Sequence, residues 1–246
     1  MRMNRFIGDF DLTSRSLVLS ERPLINQIKN VLRMSKGDTI MLSDGKGREV
    51  IAEISEIRND RIEVRIVEES KNLNEPDIRA VLYCSVLKKE NFEWVVQKAC
   101  EIGIKEITPI ITERTIKTNI NEERLKKIIK EAAEQSERKE LTQLNATLDF
   151  SEAIQNAERD PLNLFFDRSG CSVKELTRGT GLPRRNNDKD VLYVNFFIGP
   201  EGGWSARELQ RAREKDFTIV NLSRLNFRSE TAAVIACYLV CQKLFT

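Results

Sequence analysis

The sequence contains no histidine. This removes the commonest general base and the commonest metal ligand of enzymes, and it excludes any catalytic triad built on an imidazole. Proton transfer would have to use a carboxylate, lysine, tyrosine, cysteine, water or the backbone. The five cysteines are odd in number and form no C-x-x-C pair. Neither a structural zinc site nor a disulfide framework is therefore expected, and no metal is predicted.

Long apolar runs are also missing, since no stretch approaches the ~20 residues that span a bilayer. The N-terminal residues 1–6 are followed by Asp9 and Asp11 rather than by an apolar stretch, so no signal peptide is expected. These features predict a cytoplasmic protein without a membrane partner. The net charge of +2 is weaker than that of most domains that bind nucleic acid through phosphates. Charge therefore permits an RNA partner without favouring one.

The first ~70 residues are rich in β-type alternation. Residues 61–67 alternate strictly, and residues 50–57 are typical of a hairpin partner strand. Residues 24–33 have the spacing of a short helix, and the polar segment 68–77 suggests a linker. We therefore predict a compact β-barrel domain over residues 1–72 and a second domain over residues 73–246.

From residue 78 onward, helical and strand patterns alternate, which predicts an α/β domain with a mostly parallel sheet. One helix is expected to end at Gly103, and another to begin at the capping pair Ser205 and Glu208. The basic segment 178–189 is predicted to be a surface loop. The final helix is expected to begin at Ser229 and to bury one face, which carries Ala232, Ile235, Ala236 and Leu239.

A glycine-rich loop, Gly199–Trp204, follows the most apolar predicted strand. Open α/β sheets bind ligands just beyond the carboxyl ends of their strands, and glycines let backbone N–H groups approach a ligand closely. A tight turn with a helix cap would explain the same residues. The dinucleotide motif G-x-G-x-x-G and the P-loop motif are both absent, which argues against NAD and ATP as the ligand.

The segment Asn226–Ala232 is the second candidate. Ser229 and Glu230 suit a helix start, so a purely structural role would account for them. Arg228 is more informative, because it precedes a helix at the same rim of the predicted sheet as the glycine loop. Cys237 and Cys241 lie one helical turn apart and have no other potential ligands nearby, which favours buried packing.

Several short segments together resemble the RsmE family, the 16S rRNA (uracil-N3)-methyltransferases of the SPOUT superfamily. The resemblance covers nearly the whole chain, and its segments are 3–6, 31–33 with 37–38, 98–104, 132–136, 199–204 and 227–232. The last two, at this separation, are the most specific. The chain departs from the family pattern at Ser223, where a glycine is usual, and at Asn226, where an aliphatic residue is usual.

This resemblance implies a PUA-like β-barrel followed by a SPOUT domain with a C-terminal trefoil knot. It also implies a homodimer that acts on small-subunit ribosomal RNA or on the assembled small subunit. The cofactor would be S-adenosyl-L-methionine, bound by Ile198, Gly199, Gly202, Gly203, Leu222, Ser223, Leu225 and Phe227.

Five charged residues complete the hypothesis. Methylation at N3 of a uridine requires loss of the N3 proton, and Glu201 is the first candidate for the base in a chain without histidine. Glu230 is the second candidate. Arg228 would stabilise charge on a uracil carbonyl oxygen. Arg5 and Arg33 are candidates for contacts with the RNA backbone.

Three alternatives remain open at this stage. The chain could be a SPOUT methyltransferase acting on another RNA or another atom. It could be a non-catalytic RNA-binding protein that retains the fold, which would not bind S-adenosylmethionine. It could also be an unrelated α/β enzyme that binds a phosphate at the glycine-rich loop.

Overall fold

The structure, a computed structural model, describes residues 3–71, 74–76, 78–160, 162–178 and 192–242. The chain divides into two compact units. The first comprises Met1–Glu75 and Ala133–Leu141, and the second comprises Pro76–Ala132 and Thr142–Thr246. The first unit thus includes a segment from the middle of the chain that the sequence assigned to the second domain.

The first unit is built on a five-stranded sheet. Its elements are β1 (Arg5–Ile7), β2 (Ser16–Leu19), α1 (Arg22–Asn26), β3 (Thr39–Ser43), β4 (Glu49–Ile57) and β5 (Ile62–Glu69). The strand order is β1-β3-β4-β5-β2, and all pairs are antiparallel except β1 with β3. As predicted, β4 and β5 form a hairpin whose alternate side chains Ile62 and Val64 are buried. Their burial closes an apolar core over one face of the sheet.

Two local predictions for this unit are corrected. The expected helix over 24–33 begins and ends two residues earlier and is divided, since α1 covers Arg22–Asn26 and a π-helical segment covers Gln27–Val31. The expected linker over 68–77 begins later, because β5 extends to Glu69 and the Ser70 hydroxyl donates to Glu49 at 2.8 Å. The last three residues of β5 are exposed and two of them are charged, so their composition resembles that of a linker.

The second unit is an α/β fold with a wholly parallel sheet of seven strands. Its strands are β6 (Ile78–Ser85), β7 (Glu106–Ile111), β8 (Gln143–Leu144), β9 (Leu148–Asp149), β10 (Asn163–Ser172), β11 (Leu192–Ile198) and β12 (Thr218–Asn221). Its helices are α2 (Lys89–Ile102), α3 (Glu122–Gln135), α4 (Phe150–Ala157), α5 (Val173–Arg178), α6 (Ala206–Glu214) and α7 (Ser229–Gln242).

The strand order β12-β10-β11-β6-β7-β8, with β9 also paired to β7, places three consecutive strands of the chain side by side. Because the pairing is parallel, the carboxyl ends of β10, β11 and β12 meet at one edge of the sheet. Stacked and tilted aromatic rings of Tyr83, Phe165 and Phe197 fill the core beneath that edge. The loops that follow these strands are therefore held on a rigid base.

The final helix begins at Ser229 as predicted, but its buried face is not the predicted one. Among the predicted residues only Ala236 is buried, whereas Ala232, Ile235 and Leu239 are half-buried. The fully packed side chains are those of Ala233, Ala236, Cys237, Val240 and Cys241. Residues 232–241 of α7 form a run without a charged or amide side chain, so periodicity could not distinguish its faces. Cys237 and Cys241 are packing residues, as expected.

Two predicted helix boundaries are confirmed. Gly103 ends α2, and Ser205 with Glu208 forms a capping box at the start of α6. The predicted basic loop 178–189 lies outside the described residues except for Arg178, which ends α5. In the part of the chain that the structure describes, no helix is long and apolar enough to cross a membrane, and no group of side chains could hold a metal ion.

Candidate functional site

The glycine-rich loop connects β11, which ends at Ile198, to the capping box of α6. Within the loop, the N–H of Gly203 donates to the carbonyl oxygen of Pro200 at 2.9 Å and closes a turn. The Ser205 hydroxyl accepts from the N–H of Glu208 at 3.1 Å. A buried strand on one side and a capped helix on the other thus fix both ends of the loop.

Trp204 anchors this loop to the sheet. Its side chain is buried, and its indole N–H donates to the carbonyl oxygen of Phe166 at 3.0 Å. The indole also lies 4.3 Å from the ring of Phe165, measured between centroids. A Cβ atom at Gly199 would come within 2.9 Å of the indole, so the ring can pack here only because residue 199 is glycine.

A bulge in β10 forms the opposite wall of the site. Phe166 and Cys171 both pair with Val220 of β12, so residues 167–170 loop out between them. The carboxylate of Asp167 accepts from both the N–H and the hydroxyl of Ser169, at 2.8 and 2.6 Å. The bulge therefore has a fixed shape and directs Asp167 and Arg168 towards the glycine-rich loop.

The connection between β12 and α7 closes the site. The N–H of Ser223 donates to the side-chain oxygen of Asn221 at 3.1 Å, and the Ser223 hydroxyl accepts from the N–H of Leu225 at 3.0 Å. After β12 ends, two consecutive turns thus follow, in which side-chain oxygens of Asn221 and Ser223 accept from backbone N–H groups two residues further on. Ser223, one of the two departures from the family pattern, has a specific role in this turn.

These three segments enclose a cavity of about 290 Å³. The structure brings together around it all eight predicted cofactor-binding residues and the predicted base, namely Ile198, Gly199, Glu201, Gly202, Gly203, Leu222, Ser223, Leu225 and Phe227. Asn226, the second departure, also lines it. Backbone groups and apolar side chains make up most of this lining, which suits an adenosyl group better than a polyphosphate.

Arg228 lies between two residues that line the cavity, Phe227 and Ser229, but it is not itself part of the wall. Its carbonyl oxygen accepts from the N–H of Ala232 at 2.9 Å and begins the hydrogen bonding of α7. The side chain is exposed.

Glu201 is exposed, and one of its carboxylate oxygens accepts from the N–H of Lys88 at 3.1 Å. Lys88 is the N-cap residue of α2, where a negative charge is favourable. Burial raises the pKa of the nearby Cys84 thiol, and the negative charge of Glu201 raises it further. The carboxylate thus has a structural contact on one side and faces the cavity on the other.

The two arginines predicted to contact RNA lie in the first unit and differ in exposure. The Arg5 side chain is 8% exposed, and its Nε lies 2.7 Å from Oε1 of the buried Glu49. Breaking a buried ion pair to reach a phosphate would be costly, so we withdraw Arg5 as an RNA contact. Arg33 is exposed and adopts a positive φ of 52° after the π-helical segment. It remains a candidate.

Sequence reasoning missed the residues that hold the glycine-rich loop from the β7 side. Arg114, which follows β7, donates from Nη1 to the carbonyl oxygen of Gly202 at 2.8 Å. Glu208 is buried, and its Oε1 accepts from the N–H of Glu113 at 2.8 Å. The exposed charge pattern around residue 114 gave no signal of this role, because the two segments are 88 residues apart in the chain.

Comparison with known proteins gives matches to both parts of the chain. A family model described as an RNA methyltransferase domain matches residues 74–241, and one described as an RNA methyltransferase PUA domain matches residues 28–67. Ribosomal RNA small subunit methyltransferase E of Synechocystis sp. is 30% identical over 86% of this chain and 68% of its own length. The chain belongs to the ribosomal RNA small subunit methyltransferase E family.

Other members of the methyltransferase E family match over nearly their full length. The Rickettsia conorii enzyme is 28% identical over 96% of this chain and 94% of its own. The Neisseria gonorrhoeae enzyme, solved bound to S-adenosyl methionine, superimposes with a TM-score of 0.83, at 26% identity over 99% of this chain and 98% of its own. These findings confirm the predicted family and the order of a PUA-like sheet and an α/β methyltransferase domain.

Proposed function

We propose that this protein methylates N3 of a specific uridine in small-subunit ribosomal RNA, with S-adenosyl-L-methionine as the methyl donor. The observation that carries the proposal is the cavity at the carboxyl ends of β10, β11 and β12, which gathers every predicted cofactor residue. The names of the relatives and the cofactor bound to the Neisseria gonorrhoeae structure support it. A ribosomal substrate also favours a cytoplasmic location.

The lining of the cavity fits this cofactor. Backbone groups of Gly199, Gly203 and Leu222 can meet the edge of an adenine, and the apolar side chains of Ile198 and Leu225 can cover its faces. The bound cofactor supplies an electrophilic methyl group on a sulfonium. The protein then has to hold the uridine in line with that methyl group, and proximity and orientation are the main requirements of such a displacement.

The uridine N3–H is a weak acid and must lose its proton as the N3–methyl bond forms. We assign proton acceptance to Glu201, the carboxylate of the glycine-rich loop that lines the cavity and faces solvent. As the N3 proton leaves, negative charge spreads onto the flanking carbonyl oxygens. The Arg228 guanidinium would stabilise that charge from the mouth of the cavity. Glu230 is the less favoured base, because it lies in the first turn of α7.

We further propose a homodimer in which α7 contributes to the interface, as the resemblance implies. Supporting this, Tyr238 is 49% exposed and Ile235 and Leu239 are only half-buried, although the helix is apolar. Trp94 on α2, which packs against α7, is 41% exposed. Exposed apolar side chains that cluster on neighbouring helices are typical of subunit contacts. Arg33 is retained as the proposed contact to the RNA backbone.

The experiment that tests this function is single-turnover methylation of unmodified small-subunit RNA, with the product located by primer extension. An N3-methyl group blocks base pairing, so it stops extension at one uridine. We expect Arg228→Ala to lower the rate by about 10²-fold or more. Glu201→Gln should lower the rate by about 10²- to 10⁴-fold. This substitution removes the basic carboxylate but keeps an oxygen that can accept from the Lys88 N–H.

Two exposed residues provide matched controls. Arg224→Ala changes an arginine of the same connection that does not line the cavity, and Glu214→Gln changes a carboxylate at the end of α6. Both should methylate at the wild-type rate. Wild-type rates for Arg228→Ala and Glu201→Gln, with unchanged cofactor binding, would contradict the two catalytic assignments. If the wild-type protein modifies no uridine either in free small-subunit RNA or in the assembled small subunit, the function itself is contradicted.

A smaller effect is expected at Ser223. Replacing it by glycine, the usual family residue, removes the hydroxyl that accepts from the N–H of Leu225 at 3.0 Å. A hydrogen bond of this kind contributes about 0.5–1.5 kcal/mol net, so cofactor binding should weaken by roughly two- to tenfold. Calorimetric titration with S-adenosylmethionine would measure this. Ser223→Thr keeps the hydroxyl and should bind S-adenosylmethionine like the wild type. Unchanged cofactor affinity of Ser223→Gly would show that this turn does not contribute to cofactor binding.

A further inference from the structure

A second and larger cavity, of about 560 Å³, lies in the same α/β unit. It is bounded by the connection from β6 to α2, the first turns of α2, the segment 112–121 after β7, and the start of α3. The floor of this cavity is apolar and is formed by Val86, Leu87, Phe92 and Leu125. Its rim is polar and includes Lys117, Thr118 and Asn119, all exposed.

Two hydrogen bonds connect the segments that line the two cavities. Glu201, which lines the first cavity, accepts from the N–H of Lys88, and the next residue back, Leu87, lines the second. On the other side, Arg114 donates to the carbonyl oxygen of Gly202, and the same segment continues to Ile116, which lines the second cavity. An RNA strand that places its target uridine at the mouth of the first cavity, beside the cofactor, can therefore extend its neighbouring nucleotide towards the second.

The chemistry of the second cavity matches a nucleotide. The apolar floor of the cavity can pack against the face of a nucleobase. An amide side chain can both donate hydrogen bonds to and accept them from the edge of that nucleobase. Asn119 and Thr118 have no hydrogen-bond partner among the residues that the structure describes, and Lys117 has no acidic partner there. Among the described residues that line the cavity, the one carboxylate is that of Glu93, and Arg124, at 2.7 Å, offsets its charge.

We propose that this cavity binds a nucleotide of the RNA substrate that adjoins the target uridine in the strand. The base would lie on the apolar floor, Asn119 would contact its edge, and Lys117 would contact its phosphate. Recognition of single-stranded RNA by splayed-out bases follows this pattern. The inference rests on the proposed function, and it makes the second cavity a determinant of which uridine is modified.

The test compares two double variants in methylation of unmodified small-subunit RNA. Lys117→Ala with Asn119→Ala should raise KM for the RNA by about tenfold, with little change in kcat at saturating RNA and unchanged S-adenosylmethionine affinity by calorimetry. The control, Lys127→Ala with Asn156→Ala, changes the same residue types at exposed positions outside both cavities. It should behave like the wild type.

A specificity measurement completes the test. RNAs are substituted in turn at each nucleotide that flanks the methylated uridine. For the wild type, substitution at one of these positions should lower kcat/KM by about tenfold. The Lys117/Asn119 double variant should lose most of that discrimination. A merely structural role for these side chains would lower activity on all RNAs alike.

The possible failures are distinguishable. If the wild type methylates the RNA and the Lys117/Asn119 variant keeps its KM and its discrimination, this inference is wrong and the proposed function stands. An equal rise of KM in both double variants, or a loss of cofactor binding in the Lys117/Asn119 variant, would also overturn it. If the wild type modifies no uridine either in this free RNA or in the assembled small subunit, the proposed function fails and the inference fails with it.

Discussion

Replacing Trp204 by alanine is expected to lower the free energy of unfolding by about 3–5 kcal/mol, the range for removal of a buried aromatic side chain. The indole packs against Phe150 and Phe165 and donates to the carbonyl oxygen of Phe166. Its removal leaves a cavity under the glycine-rich loop and a buried carbonyl without its donor. Cofactor affinity should fall at least tenfold, because the loop loses its anchor to the sheet.

Chemical denaturation followed by far-ultraviolet circular dichroism would measure this change, because fluorescence would lose one of the two tryptophans. Trp204→Phe is the matched control. It keeps an aromatic ring but not the N–H donor, and should cost about 1–3 kcal/mol. A loss below about 1 kcal/mol for Trp204→Ala, within the range of an ordinary surface substitution, would contradict the anchoring role.

The second large effect is expected for Gly170→Ala in the bulge of β10. A Cβ atom at this position would lie 2.4 Å from the carbonyl carbon and oxygen of Ile219 and 2.5 Å from the nitrogen of Val220. These are backbone atoms of β12, so they cannot move aside as a flexible side chain could. Overpacking of this kind costs about 1–3 kcal/mol or more, and we expect the upper end of that range.

The same substitution should also weaken cofactor binding, because β12 leads directly into the connection that lines the cavity. Gly202→Ala is the matched control for stability. Its Cβ atom would meet the Arg114 side chain at 3.4 Å, an ordinary van der Waals contact. Thermal unfolding should give a lower melting temperature for Gly170→Ala than for Gly202→Ala. Equal melting temperatures would mean that β12 tolerates displacement from β10.

Local signals in the sequence predicted most elements and the two loops of the site. Ser205 and Glu208 specify a helix start within four residues, and alternation of apolar residues specified the faces of β5. The wall formed by Asp167 and Arg168 was missed. It depends on β10 lying between β11 and β12, and this order is set by pairing between distant segments rather than by any local pattern.

Burial of charge was equally invisible in the sequence. An arginine near a terminus is exposed in most proteins, so Arg5 was expected at the surface. Only the fold brings it against Glu49, 44 positions away, where both side chains are buried. The buried face of α7 was missed for the opposite reason, because the helix offers apolar residues on every side.

The segment 133–141 has a consequence for the order in which the chain can fold. Arg138 forms a buried ion pair with Glu75 at 3.1 Å, and Oε1 of Glu134 accepts from the N–H of Ile7 at 2.9 Å. During synthesis, the N-terminal sheet must therefore wait for more than fifty further residues before these partners leave the ribosome. A fragment cut after Glu75 would keep an acidic side chain without its buried counter-charge, so we expect it to be less stable than the same residues in the full chain.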